Sequence, residues 1–421
     1  MLIQFKVKNY TSFKEEVILD LIPSSDEAHQ EFLSTINKNS ALNCIAVYGA
    51  NASGKSNLMK AVTASIMTVR ESHSRQINEK LYRMIPFKFD NESVKEPCSF
   101  EYTIVTEGKK YIYGFSASQE RIFEEYLYEY TSAKPSLIFE LNKKSGKYRY
   151  PKAENKVLGP IVDRNPYNKL LLSSATNWNY ERTKPVFTWF LSCVDTFDNL
   201  SNSMFEHFDR FSGNNNFEEL KKFTLRLLKT ADINIDDYEI TNNRIILNQS
   251  NKAITGTGYA KQNISDPNTL EVFDVYTSHA VENKRNFKLN IREESLGTIN
   301  VFGFAPVLEK AIKYGNIVFV DELEKSLHPY LSKLLIEYFK NTATNKKGAQ
   351  LIFTTHSTNL LDLDLFRRDQ IYFTEKNPKT AVSDLYSLND FPVRKTENIE
   401  KGYLLGRYGA IPYIHPEDLN E

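Results

Sequence analysis

The sequence predicts an α/β chain with a largely parallel core sheet built on a phosphate-binding loop, a β-rich N-terminal lobe and an inserted helical and β lobe. Three observations predict it. A short apolar run, Cys44–Tyr48, feeds the loop Gly49-Ala50-Asn51-Ala52-Ser53-Gly54-Lys55-Ser56, which matches G-x-x-x-x-G-K-[ST] and opens a helix. A second apolar run, Ile317–Val320, ends in Asp321-Glu322. A third strand-like run, 350–355, leads into His356. Apolar strands alternating with helix-period segments imply a parallel sheet with its chemistry at the strands' C-terminal ends.

Composition sets the bounds. The chain has 421 residues, with 53 basic and 53 acidic side chains. That length holds two or three structural units. The balanced charge gives no whole-chain pull toward nucleic acid or membrane, so any such surface is a local patch. Cys44, Cys98 and Cys193 are odd in number, far apart and outside any C-x-x-C pattern. A disulfide framework or cysteine zinc site is therefore not expected, and a reducing cytoplasm fits. The N-terminus lacks a signal-like apolar core, and no apolar run reaches membrane-spanning length, so a cytoplasmic chain without membrane contact is expected.

Taken in order, residues 1–22 alternate as a hairpin, broken at Asn9-Tyr10-Thr11-Ser12-Phe13. Leu58, Val62, Ile66 and Val69 share one face of a helix over 55–72. Residues 86–150 are rich in aromatic and β-branched residues, with turns at Glu107-Gly108 and Ser145-Gly146. Helical spacing dominates 165–232, and the polar stretch 248–268 is expected to be an excursion. Strands resume at 272–276 and 287–291, a helix at 299–314, and a further helix at 329–341. The expected domains are 1–164, an N-terminal lobe carrying the loop; 165–294, the insert; and 295–421, the half carrying the later motifs.

The loop's small residues let backbone N–H groups wrap an anion, and the helix that follows adds its positive end. Gly49, Ala50, Asn51, Ala52, Ser53, Gly54, Lys55, Ser56 and Asn57 are the candidate nucleotide-binding residues. Lys55 reaches terminal phosphates and the Ser56 hydroxyl ligates Mg²⁺. A buried strand ending in two acids is explained if Asp321 also holds Mg²⁺ and Glu322 polarises the attacking water. His356, at the next strand end, is placed to contact the γ-phosphate or that water. Ser295-Leu296-Gly297-Thr298 opens a helix; on spacing alone it reads as an N-cap or as an anion site.

These motifs, in this order, resemble an ABC-type ATPase head of the SMC/RecF/OLD branch. Asn9 to Phe13 resembles that branch's N-F-x-S-F segment, 49–56 its Walker A, Ser295 to Thr298 its signature S-x-G-T, and 317–322 its Walker B with catalytic Glu322. Leu323 to Pro329, ending Ser326-Leu327-His328-Pro329, resembles the D-loop region, and His356 the switch histidine. The resemblance implies ATP and Mg²⁺, catalytic Glu322 and His356, and Ser295, Gly297 and Thr298 completing the site of another copy in a homodimer or higher homo-oligomer. The tail Asn398-Ile-Glu-Lys-Gly402-Tyr-Leu-Leu-Gly406-Arg-Tyr-Gly409-Ala-Ile-Pro412 is similar to the AAA_15, AbiLi-like (also RloA-like) ATPases of phage-defence and abortive-infection loci. That implies a sensor or scaffold controlling a separate effector, a nuclease or toxin. The alternative is a RecF-like repair ATPase that clamps duplex DNA. The family's Q-loop glutamine has two candidates, Gln76 and Gln119.

Spacing excludes some relatives. The 240 positions from Lys55 to Ser295 lack the heptads of an SMC-length coiled coil. The 65 residues after His356 are too few for an appended TOPRIM nuclease of the OLD type. The segment 142–152, with Lys143, Lys144, Lys147, Tyr148, Arg149 and Tyr150, reads either as a nucleic-acid patch or as a solvated hairpin tip. The tail reads either as a strap on the core or as a docking segment, and His279 reads as structural.

Overall fold

The computed structural model describes residues 1–412 except 27–28, 37, 143–144, 199–203, 214–215, 247–258, 263–268, 282–284, 326 and 395. The fold is mixed α/β. It divides into two compact units, Met1–Asp198 with Ala311–Leu323 and Leu335–Glu421, and Asn199–Lys310 with Glu324–Leu334. Helical character was expected to mark an insert from 165. The second unit begins instead at Asn199, because helices Leu171–Asn177 and Lys184–Ser192 bury their apolar residues in the first unit's core.

The first unit holds a six-stranded sheet in the order Val194–Phe197, Ile317–Val320, Gln350–Thr354, Cys44–Tyr48, Ile371–Lys376, Ser383–Ser387. The first five run parallel and the last is antiparallel. The Gln350–Thr354 strand thus lies between the loop strand and the Asp-Glu strand, which brings the three motif-bearing ends side by side. Alternation sorts the side chains by face. Ile45, Val47, Ile317, Phe319 and Ile352 join the core that also holds Leu58, Val62 and Val69 of helix Lys55–Ser72. On the opposite face Tyr48 meets Phe373 and Tyr403, both with ring centroids at 6.2 Å.

A seven-stranded antiparallel sheet also packs into this core. Its order is Tyr148–Arg149, Pro135–Leu141, Ile122–Tyr130, Lys109–Ala117, Cys98–Thr106, Leu2–Lys8, Val17–Asp20. The N-terminal hairpin is its edge, and Glu107 and Gly108 adopt positive φ at the expected turn. Tyr102 links the layers, with its hydroxyl 2.6 Å from Ser65 and its ring against Trp189 and Phe190.

In the second unit, strand Thr269–Val281 pairs with Asp237–Ile246, Tyr259–Gln262 and Arg285–Asn290. The Asp237–Ile246 strand was not expected, because its Asn242-Asn243 pair interrupts the apolar pattern. Apart from Tyr259–Gln262, the expected excursion 248–268 lies outside the described residues. Phe208 stacks on Phe273 at 4.6 Å, and His207 stacks on Phe302 at 4.3 Å. Among the described residues no helix is long and apolar enough to cross a membrane.

Candidate active site

The loop follows Cys44–Tyr48, whose five residues are all buried. Gly49 (φ 154°), Ala52 (φ 62°) and Gly54 (φ 128°) give it its curl. A Cβ on Gly49 would sit 2.4 Å from the Thr374 carbonyl oxygen, so only glycine fits there. Helix Lys55–Ser72 starts with no side-chain cap, leaving its first N–H groups to an anion. Lys55 is 5% exposed, and its Nζ donates to the Gly49 carbonyl at 2.7 Å and the Ala50 carbonyl at 3.0 Å.

Residues remote in sequence brace this loop. Ser53 Oγ is 2.6 Å from Thr374 Oγ1, and Ser383 Oγ donates to the Ser53 carbonyl at 2.6 Å. Asn57 Nδ2 donates to Ser12 Oγ at 2.8 Å, and the Ser383 N–H to the Ser12 carbonyl at 2.8 Å. Sequence reasoning missed Thr374 and Ser383, since neither of their strands was recognised. Ser12 lay inside the quoted N-terminal segment, and the structure gives that segment a local reason. Asn9 holds the carbonyls of Ser93 and Glu96 through Nδ2, and its Oδ1 accepts the Phe87 N–H.

Asp321 and Glu322 follow Ile317–Val320 directly. Glu322 has φ 55°, an uncommon conformation for a glutamate, of order 1–3 kcal/mol in strain. Thr354 holds the turn. Its Oγ1 donates to Asp321 Oδ1 at 2.5 Å and accepts the Glu322 N–H at 2.7 Å, and its carbonyl accepts the Leu323 N–H at 3.1 Å. The expected role went to His356 alone, although Thr354 stood two places before it.

His356 joins the two halves. Its Nδ1 lies 3.4 Å from Lys55 Nζ, and its Nε2 lies 3.9 Å from Glu322 Oε1. An ammonium only donates, so toward Lys55 it is Nδ1 that can accept, and Nε2 is the ring nitrogen turned to Glu322. Ser56 and Asp321 supply a hydroxyl and a carboxylate, hard oxygen donors of the kind Mg²⁺ takes beside substrate phosphates.

Ser295, Gly297 and Thr298 belong to the second unit. Ser295 Oγ accepts the Thr298 N–H at 3.1 Å, an N-cap, and lies 2.9 Å from Thr298 Oγ1. Ser295 is exposed and Leu296 is 54% exposed, while Thr298 is buried. The preceding Glu294 accepts from Thr277 Oγ1 at 2.6 Å and lies 2.8 Å from His279 Nε2. His279 thus anchors the segment that presents Ser295. Asn300 Nδ2 donates to the Lys325 carbonyl at 2.9 Å; Ser326 lies outside the described residues. Neither Q-loop candidate is drawn to the loop by a hydrogen bond among the described residues. The Gln76 carbonyl accepts from Asn168 and the Gln119 carbonyl from Leu81.

A protein-family model described as "AAA domain, putative AbiEii toxin, Type IV TA system" matches residues 44–362. No curated protein matches the chain. Similar solved structures include an Smc head bound to the C-winged helix domain of ScpA, with 12% identity, 92% of this chain and 97% of that chain covered, and a TM-score of 0.41. An SMC head domain from Thermotoga maritima gives 12% identity, 92% and 98% coverage, and a TM-score of 0.39. An Smc head domain with an extended coiled coil, bound to the C-terminal domain of ScpA derived from Pyrococcus furiosus, gives 11%, 97% and 98%, and 0.41.

Proposed function

This chain belongs to that AAA-domain family, and from this premise we propose that it is an ABC-type ATPase that binds and hydrolyses ATP and assembles through it. The observation that most supports hydrolysis is the run of contacts from Lys55 through His356 to Glu322 at adjacent strand ends. The loop's N–H groups and Lys55 hold the phosphates. Ser56 and Asp321 hold Mg²⁺, which when bound offsets phosphate charge. Glu322 accepts a proton from the attacking water, and the His356 Nε2–H orients Glu322.

In this reading Ser295, Gly297 and Thr298 complete the site of a second copy. The exposure of Ser295 beside an exposed Leu296 supports an interface there. The chain then acts as sensor or scaffold in anti-phage defence and controls a separate nuclease or toxin. The resemblance of the tail to AbiLi-like (RloA-like) ATPases supports this setting, as does a family description that mentions a toxin of a toxin–antitoxin system. Glu322→Gln tests the reading. Turnover should fall by about 10²-fold or more, while ATP holds the variant in its assembled form. Turnover at the wild-type rate would overturn it.

A further inference from the structure

We infer a second ligand site, in the β-rich lobe, that takes a nucleotide unit with its phosphate on three cations and its base against tyrosines. The site is a cavity of about 420 Å³ that shares no lining residue with the phosphate-binding loop. Its volume is in the range of small-molecule sites. Arg121 comes from the start of strand Ile122–Tyr130, Lys147 from the edge hairpin and Lys169 from the segment before helix Leu171–Asn177. Sequence reading found only the hairpin, because the other two cations are distant in the chain.

Charge is the first argument. Several cations of this lobe are matched by acids: Lys6 with Glu101 at 2.8 Å, Lys109 with Glu129 at 2.6 Å, Arg182 with Glu129 at 3.2 Å, and Arg149 with Glu140. Arg149, one of the expected phosphate contacts, is therefore committed to Glu140. Lys143 and Lys144, also expected there, lie outside the described residues. Arg121, Lys147 and Lys169 make no ion pair among the described residues. Lys169 Nζ donates to the His73 carbonyl at 3.0 Å, which fixes the ammonium without neutralising it. The lining's one acid, Asp163, forms no ion pair with any of the three. The cavity thus carries net positive charge, which favours an anion.

The tyrosines narrow the class. Tyr150 and Tyr167 also line the cavity, and their hydroxyls donate to Asn155 at 3.1 Å and Asn78 at 2.6 Å. Each ring is thereby pinned at the wall. Cations beside fixed aromatic rings suit phosphate and base together. The nucleotide unit is either a free mononucleotide or part of a single strand, and the two sources are separable by experiment.

The test uses the full chain carrying Lys55→Ala, which weakens phosphate binding at the loop and leaves this cavity intact. Fluorescence anisotropy is read with methylanthraniloyl-labelled AMP and, separately, with a short fluorescein-labelled oligothymidylate. At least one probe should bind, and Arg121→Glu with Lys147→Glu should weaken it about tenfold or more. Lys147→Gln alone should give a smaller loss, which guards against a folding artefact. Binding of AMP alone assigns a free nucleotide, and binding of the oligonucleotide, with or without AMP, assigns a single strand. Binding of neither probe, or affinity unchanged by the charge reversals, overturns the inference. Failure of the ATPase reading shows elsewhere, as wild-type turnover in Lys55→Ala.

Discussion

At the scale of single residues, Thr354 carries the geometry of the acidic pair. One hydroxyl donates to Asp321 and accepts from Glu322, at 2.5 and 2.7 Å, and so holds a glutamate at positive φ. Thr354→Val keeps the shape and removes both bonds. If Glu322 is the base, steady-state ATP turnover in this variant should fall about 10–100-fold in kcat with little change in KM, and Thr354→Ser should restore most of it. An unchanged kcat in the valine variant would remove Thr354 from the account. Lys55, Asp321, Glu322 and His356 could be singled out as candidates because their proposed chemistry restricts residue type at fixed places in the loop and at strand ends. Thr354 was harder to find, since a threonine before a strand end is ordinary in sequence and acquires meaning only from the neighbouring strand. Thr374 and Ser383 were not legible at all. They meet Ser53 across 321 and 330 positions, and nothing local marks them.

At the scale of elements, uniformly apolar strands, even ones of four or five residues, and periodic helices were readable, and strands of mixed or polar sequence were not. Ile371–Lys376 and Ser383–Ser387 extend the core sheet but were not recognised as strands. The tail itself packs on the core: Phe373 stacks on Tyr403 at 5.5 Å and on Tyr408 at 5.9 Å. That packing supplies the strap. Leu404 and Leu405, 59% and 63% exposed, leave an outer side open.

Glu125 binds two elements of the first unit together. Fully buried on strand Ile122–Tyr130, it accepts the N–H groups of Leu171 and Leu172 at 2.6 and 2.9 Å, and the hydroxyls of Tyr148 and Tyr113 at 2.8 and 3.1 Å. Burial pushes its carboxyl up to about 7, against the pull of those four donors. A raised carboxyl favours the protonated folded state. The contribution of this group to stability is therefore full below about pH 4.5, is lost as pH rises toward about 7, and changes no further above that. Glu125→Gln places an amide that cannot accept against a backbone N–H. Its deficit in urea unfolding should be about 1–3 kcal/mol at low pH and narrow as pH rises through that window. A deficit independent of pH would contradict the assignment.

At the scale of the whole molecule, the two units carry complementary parts of the proposed site. The first has the phosphate loop, the acids and His356, and the second has Ser295. In the reading proposed here, a single copy holds nucleotide without a complete hydrolytic site, so hydrolysis reports assembly. The most direct test is ATP turnover in a mixture of two inactive variants, Lys55→Ala and Ser295→Ala. If Ser295 acts on a second copy's nucleotide, each variant is inactive alone, and mixed dimers contain one intact site. An equal mixture should then recover about a quarter of wild-type turnover. A mixture no more active than its components would contradict completion of the site by a second copy.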